Sequence, residues 1–182
     1  MKIIETGFEG LVIIKPDVFT DQRGYFFESY NQKTYLEAGL DFTPVQDNES
    51  KSSKGVVRGL HYQLKPYDQA KLIRVIEGRI FDVALDLRKG SATFGKWYGT
   101  ELDSESKTQM FIPKGFAHGF SVLSERAIIL YKCDNFYTPA YERGISATDP
   151  GLDIGWKIIP SEMIISIKDM KNPSFTEAEH NF

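Results

Sequence analysis

Lys71-Leu-Ile-Arg-Val-Ile-Glu-Gly-Arg-Ile-Phe-Asp-Val-Ala-Leu-Asp-Leu87 carries the pattern on which the fold is read. Between Arg79 and Leu87, Phe81, Val83, Leu85 and Leu87 fall on one face of an extended chain, with Asp82 and Asp86 on the other. Successive strand side chains alternate, so this period of two predicts a strand with one dry face. Lys71–Ile76 reads as a second strand. Glu77-Gly78 between them predicts a tight hairpin, because glycine takes the positive φ such a turn needs.

Working outward, the same signals predict strands over Lys2–Glu5, Leu11–Lys15, Tyr25–Tyr30, Val56–Tyr62, Lys96–Leu102, Lys107–Ile112, Gly119–Leu123 and Ala127–Cys133. Gly, Pro, Asn and Asp punctuate them at intervals of roughly ten residues, the rhythm of an all-β sandwich or barrel. Only Asn31–Ala38 reads as helix, with Asn31 as its cap and Gly39 as a left-handed stop. No linker, repeat or low-complexity tract interrupts the 182 residues, so one domain over 1–182 is expected. The polar stretch after Asn172 leaves its own order undecided.

Hydrophobic residues make up 41% and charged residues 26% of the chain, a globular composition. The formal charge of −3 comes from interspersed acids and bases. That leaves no long basic face for nucleic acid, while a few Arg and Lys still suffice for a phosphate. Leu11–Ile14 is the longest apolar run near the start, far below the roughly 20 residues that span a bilayer. Neither membrane insertion nor secretion is expected. Cys133 stands alone, which excludes an intrachain disulfide and suits a reducing compartment, so a cytoplasmic protein is expected.

Of three histidines, His180 lies in the polar tail, leaving His61 and His118 for an interior. A lone histidine on an apolar strand is more often a hydrogen-bonded core residue than a catalyst. Here Arg58 stands three residues from His61, and a permanent cation is costly to bury. Strict alternation puts those two on opposite faces, so both reach one cavity only if Gly59 permits a bulge. Lys71 is in phase with Ile73 and Val75, and Tyr131 with Ala127 and Ile129, so each projects inward or snorkels at a strand end. A base, an ammonium and a phenol together suit proton abstraction beside a carbonyl: histidine takes the carbon-bound proton, lysine steadies the enolate, tyrosine returns a proton. Asp169 is a candidate to orient His61, though nothing in their spacing shows that they meet.

From Gly55 to His118 the chain resembles a cupin, with Gly55 and His61 spaced as in the first cupin motif and Pro113-Lys-Gly-Phe-Ala-His118 matching the second. Metal-binding cupins carry a second histidine where this chain has Gln63, and their following Glu is missing, Asp68 being the nearest carboxylate. The departure implies neither metal nor other cofactor. More closely, the chain resembles the dTDP-4-dehydrorhamnose 3,5-epimerase family. The blocks that carry this are Asp21-Gln-Arg-Gly-Tyr-Phe-Phe-Glu28, Gln46-Asp-Asn-Glu-Ser50, Arg58-Gly-Leu-His-Tyr-Gln63, Phe81-Asp-Val-Ala-Leu-Asp-Leu-Arg88, Ile112-Pro-Lys-Gly-Phe-Ala-His-Gly-Phe120 and Ile167-Lys-Asp169.

The resemblance implies a cupin-type jelly-roll barrel with a few short peripheral helices. It implies inversion at C3 and C5 of dTDP-4-keto-6-deoxy-D-glucose, in dTDP-rhamnose biosynthesis. His61 would be the base, paired with Asp169, and Tyr131 the acid, with Lys71 and His118 lining the cavity. Arg23, Arg58 and Lys168 would meet the diphosphate and sugar oxygens. Glu28, Gln46, Asp47, Asn48 and Glu142 would add substrate contacts, and Phe26 and Tyr137 would stack on the base. A homodimer is implied, with Lys2–Glu5 and Leu11–Lys15 exchanging into the neighbouring sheet. A single-position epimerase or ketoisomerase, a non-catalytic sugar-nucleotide binder and a metal-dependent oxygenase are the competing readings.

Overall fold

In the computed structural model, which describes residues 1–182, β-branched and aromatic residues spaced by turns form fourteen strands. In chain order these are β1 (Lys2–Glu5), β2 (Val12–Lys15), β3 (Phe19–Asp21), β4 (Gly24–Phe26), β5 (Gln46–Ser53), β6 (Val56–Gln63), β7 (Lys71–Glu77), β8 (Arg79–Asp86), β9 (Trp97–Asp103), β10 (Gln109–Ile112), β11 (Phe116–Val122), β12 (Arg126–Cys133), β13 (Glu142–Gly144) and β14 (Ile164–Ile165). The one α-helix, α1 (Gln32–Glu37), is capped by the Asn31 side chain, which accepts from Lys33 N and Thr34 N. One six-stranded sheet runs β1-β2-β10-β7-β12-β5, the other β13-β6-β11-β8-β9 with β14 beside β6. Two packed sheets of this kind, antiparallel apart from the β14–β6 pair, are the all-β, cupin-type jelly roll expected.

The predicted hairpin at Glu77-Gly78 is not one. β7 and β8 lie in different sheets, and Gly78 turns the chain from one layer to the other. Glycine is needed there for a different reason: φ is +81° and a Cβ would come within 2.1 Å of Arg126 O. β8 also departs from the expected single dry face, since both its faces are buried. Ile80 and Ala84 look between the sheets, against Ile73, Val75 and Ile129. Phe81, Val83, Leu85 and Leu87 look outward and are covered by Ala147, Leu152, Trp156 and Ala178. The C-terminal stretch is therefore ordered by packing, and Tyr62 Oη donates to Glu179 O at 2.7 Å across it. A third cluster, Val12, Ile14, Leu72 and Phe111, is covered on the other sheet by Tyr35, Leu40 and Phe42 around α1.

The predicted strand Tyr25–Tyr30 is a second correction. The strand ends at Phe26, as half of a small β3–β4 hairpin outside both sheets, with Phe19 and Phe26 about two-thirds exposed (66% and 67%). Apolar side chains there mimic a core strand without having a core to face.

Candidate active site

Gly59 settles how Arg58 and His61 share a face. His118 of β11 pairs with His61 and Phe120 with Arg58, so three steps on β6 oppose two on β11. This is a one-residue bulge. Its backbone passes so close to β11 that a Cβ at Gly59 would lie 2.6 Å from His118 O. Without the bulge, one of the two side chains would leave the interior.

The cavity between the sheets measures about 340 Å³. One wall comes from β6 and β11, with His61 and His118 side by side in register. The facing wall comes from β7 and β12, which bring Lys71 and Tyr131. β5, at the edge of that second sheet, adds Gln46, Asn48 and Ser50, all on one side of the strand. Arg58 Nε donates to Ser52 Oγ at 3.0 Å, which anchors the guanidinium against the same strand.

His61 meets Asp169, 108 residues away, at 2.6 Å between Nε2 and Oδ1. Asp169 sits in a 3₁₀ turn packed on β6 and is buried. Burial works to raise its pKa, but the hydrogen bond and charge of His61, with support from Gly59 and Ser166, hold it below the usual carboxylate value. An ionised Asp169 accepts the Nε2 proton and leaves Nδ1 of His61 as the basic nitrogen. His118 repeats the motif with Asp82, Nε2 to Oδ1 at 2.7 Å.

Across the cavity, burial lowers the pKa of Lys71, opposed by Cys133, Asp82 and Glu142. Burial raises the pKa of Tyr131, with Cys133 and Glu142 adding to it and Arg58 opposing. The phenol therefore carries its proton at neutral pH and is able to donate it. At the mouth, Glu142 Oε2 accepts from Lys168 Nζ at 2.6 Å and Tyr137 Oη at 2.9 Å. Those bonds overcome burial and keep Glu142 ionised with a lowered pKa, with His61 adding a smaller pull.

Four predicted contacts lie outside this cavity. Asp47 points to the other side of β5, where Lys132 Nζ binds both its oxygens at 2.9 Å. Arg23 is exposed on the β3–β4 hairpin and bonded to Asp21, with Phe26 beside it. Glu28 is exposed and accepts from Asn31 Nδ2 at 3.1 Å. Sequence reasoning in turn missed Asp82, read as the wet face of β8, and missed that β5 is a strand whose inward row extends the expected Gln46 and Asn48 to Ser50. Its signal was there: polar Gln46, Asn48, Ser50 and Ser52 alternate with charged Asp47, Glu49 and Lys51.

Gln63, at the position of the second cupin histidine, is buried and spends its amide on backbone: Nε2 donates to Tyr67 O and Phe136 O, and Oε1 accepts from Thr138 N. No group of three or more His, Cys, Asp or Glu side chains gathers as metal ligands would. No helix is long and apolar enough to cross a membrane.

Comparison with known proteins agrees with this architecture. Residues 5–177 match the family model described as dTDP-4-dehydrorhamnose 3,5-epimerase. The enzyme of that name from Shigella flexneri is 50% identical over 181 residues, 99% of each chain. A crystal structure of the Elizabethkingia anophelis enzyme of that name superposes with a TM-score of 0.94 at 52% identity, covering 97% of both chains. The Legionella pneumophila dTDP-6-deoxy-D-glucose-3,5-epimerase, solved with dTDP-4-keto-L-rhamnose, gives 0.92 at 46% identity, covering 97% of this chain and 93% of that one. With both the fold and the full-length identity in agreement, this chain belongs to the dTDP-4-dehydrorhamnose 3,5-epimerase family.

Proposed function

We propose that the protein inverts C3 and C5 of dTDP-4-keto-6-deoxy-D-glucose to give dTDP-4-dehydro-L-rhamnose, for dTDP-rhamnose synthesis, with His61 as base and Tyr131 as acid. The observation that carries this reading is the placement of those two groups on facing walls of one cavity. Inversion needs a proton removed from one face of a ring carbon and returned to the other. A base and an acid on opposite walls do this without turning the sugar over.

Each half of the reaction runs in the same sense. Nδ1 of His61 takes the proton from the carbon beside the C4 ketone, and the electron pair moves onto the ketone oxygen as an enolate. The Lys71 ammonium steadies that oxygen, and the His118 ring, held by Asp82, lines the cavity beside it. The Tyr131 phenol then protonates the same carbon from the far side, and solvent resets both groups. The donors at hand supply the charge stabilisation that the enolate needs, so the chemistry calls for no metal or other cofactor.

Arg58 and Lys168 would meet the diphosphate, Tyr137 would stack on the base, and Gln46, Asn48 and Glu142 would bind polar groups of the substrate. We further propose a homodimer of single-domain subunits in the cytoplasm. Its support is the exposed aromatic hairpin carrying Arg23 and Phe26, with Glu28 next to it, and β1 at a sheet edge, which a second copy would cover. In that assembly those three residues, and Asp47, would act from the rim.

The direct test is incubation with dTDP-4-keto-6-deoxy-D-glucose and product identification by NMR. Inversion at both carbons is expected. Inversion at C3 alone would recast the protein as a single-position epimerase, and binding without turnover as a carrier.

A further inference from the structure

The segment Asn135–Thr138 bridges β12 and a 3₁₀ turn at the cavity mouth, and it carries Tyr137. Residues 135–137 make no backbone–backbone hydrogen bonds. Glutamine side chains hold the segment instead. Gln69 Nε2 donates to Asn135 O at 2.8 Å, and Gln63 Nε2 to Phe136 O at 3.1 Å. Gln46 Oε1 accepts from Tyr137 N at 2.8 Å and Gln63 Oε1 from Thr138 N at 2.6 Å.

Gln63 is central because it grips the segment on both sides of Tyr137 while its Nε2 also reaches Tyr67 O at 2.6 Å in the β6–β7 connection. A primary amide carries N–H donors and a carbonyl acceptor side by side, as the peptide group does, so it replaces a rung of β ladder. Its own backbone is fixed in β6, opposite Glu142, whose carboxylate holds the Tyr137 hydroxyl. The aromatic ring is thus set from the backbone end by Gln63 and from the hydroxyl end by Glu142.

We infer that Gln63 is a positioning residue for nucleotide binding: it acts through Tyr137, holding that ring where the base of the substrate stacks. The inference rests on the functional reading above for the identity of the nucleotide. The geometry itself is independent of it. Holding the ring before substrate arrives removes an ordering cost from binding rather than from chemistry, so the effect belongs in Kd and KM and not in kcat.

The test is calorimetric dTDP binding and steady-state kinetics for the wild type, Gln63→Met, Tyr137→Ala and the double variant. Gln63→Met should raise Kd for dTDP and KM about tenfold with kcat within about twofold. In the Tyr137→Ala background, the same change should move Kd by less than about twofold, because the path through the ring is already gone. Equal losses in both backgrounds, or a fall in kcat with KM unchanged, would overturn the inference. Should Gln63→Met fold poorly, Gln69→Leu releases only the Asn135 carbonyl and should give a smaller KM rise of about threefold. An unchanged KM there would equally count against it.

Amide hydrogen exchange at Tyr137 and Thr138 reads the clamp without any ligand. Faster exchange in the Gln63 variant by about tenfold or more is expected, and unchanged exchange contradicts the clamp. A wild type that binds dTDP but inverts neither carbon defeats the epimerase reading while leaving the binding cycle intact.

Discussion

His61–Asp169 and His118–Asp82 are the same chemical unit, built twice on neighbouring strands with nearly equal hydrogen bonds of 2.6 and 2.7 Å. They differ in what surrounds them. The His61 side chain keeps 34% of its surface and Asp169 6%, whereas His118 and Asp82 keep 7% and 0%. The second oxygen of Asp82 is buried with no partner. A histidine open to the cavity exchanges its proton with substrate and solvent. A histidine sealed among side chains keeps one orientation. On the proposed mechanism, solvent access rather than the dyad itself would divide the roles: His61 would move a proton, and His118 would stand as a fixed ring beside the reacting sugar.

Removing the carboxylate partner separates the two roles most strongly. Asp169→Asn offers His61 an amide that no longer fixes the tautomer or steadies the imidazolium, and we predict a fall in kcat of about 10²–10³-fold. Asp82→Asn should cost about tenfold, because His118 needs only its orientation. The kinetics of the pair decide the matter: equal losses would erase the distinction drawn between the dyads.

A smaller effect on rate, but a visible one on outcome, is expected across the cavity. Tyr131→Phe keeps the proposed base and removes the proposed acid. Carbon-bound protons should still exchange with solvent while the ratio of inverted to returned sugar shifts. An unchanged ratio would take Tyr131 out of the reaction.

The smallest effect concerns stability. Asp86, four residues along β8 from Asp82, works against burial through bonds from Arg88, Thr93 and Ser91, which bring its pKa down to about 2 from the ordinary 3.8. A carboxyl with a depressed folded pKa contributes stability above its unfolded pKa and loses it as pH falls toward the folded value. Asp86→Asn should therefore lose about 2 kcal/mol at pH 7 and show a weaker dependence of stability between about pH 4 and 2. Denaturant unfolding at several pH values measures this. An identical pH dependence in the variant would assign the acid sensitivity elsewhere.

Much of the architecture was legible because apolar alternation is strong where a strand faces a core. β1 was read with its observed limits, and β2, β6, β7, β8, β9 and β12 to within a residue or so at each end, as was the cap of α1. β5 escaped for a physical reason: its inward face lines the cavity, so polar residues stand where a core strand would carry apolar ones. Sheet membership was illegible at Gly78, since a turn residue that permits a hairpin equally permits a crossing between layers. The outward face of β8 looked like the core face because the C-terminal residues that cover it lie some 60 or more positions on.

Within the site, His61, Lys71, His118 and Tyr131 were visible as charged or titratable groups in apolar strands. Asp169 could be named as a candidate but its contact with His61 could not be read, because a contact across 108 residues leaves no periodic trace. Arg58 reached the cavity by the conditional route, through the bulge at Gly59. Asp82 was hidden by its own regular alternation, which is as consistent with a wet face as with a polar cavity.

On the proposed mechanism one base, His61, opens both C–H bonds. It is tested by incubating wild type and His61→Ala with dTDP-4-keto-6-deoxy-D-glucose in deuterated water and following C3 and C5 by NMR. Deuterium is expected at both carbons with wild type and at neither with His61→Ala, which should still bind dTDP. Deuterium at either carbon with His61→Ala, at a rate near that of wild type, would contradict it.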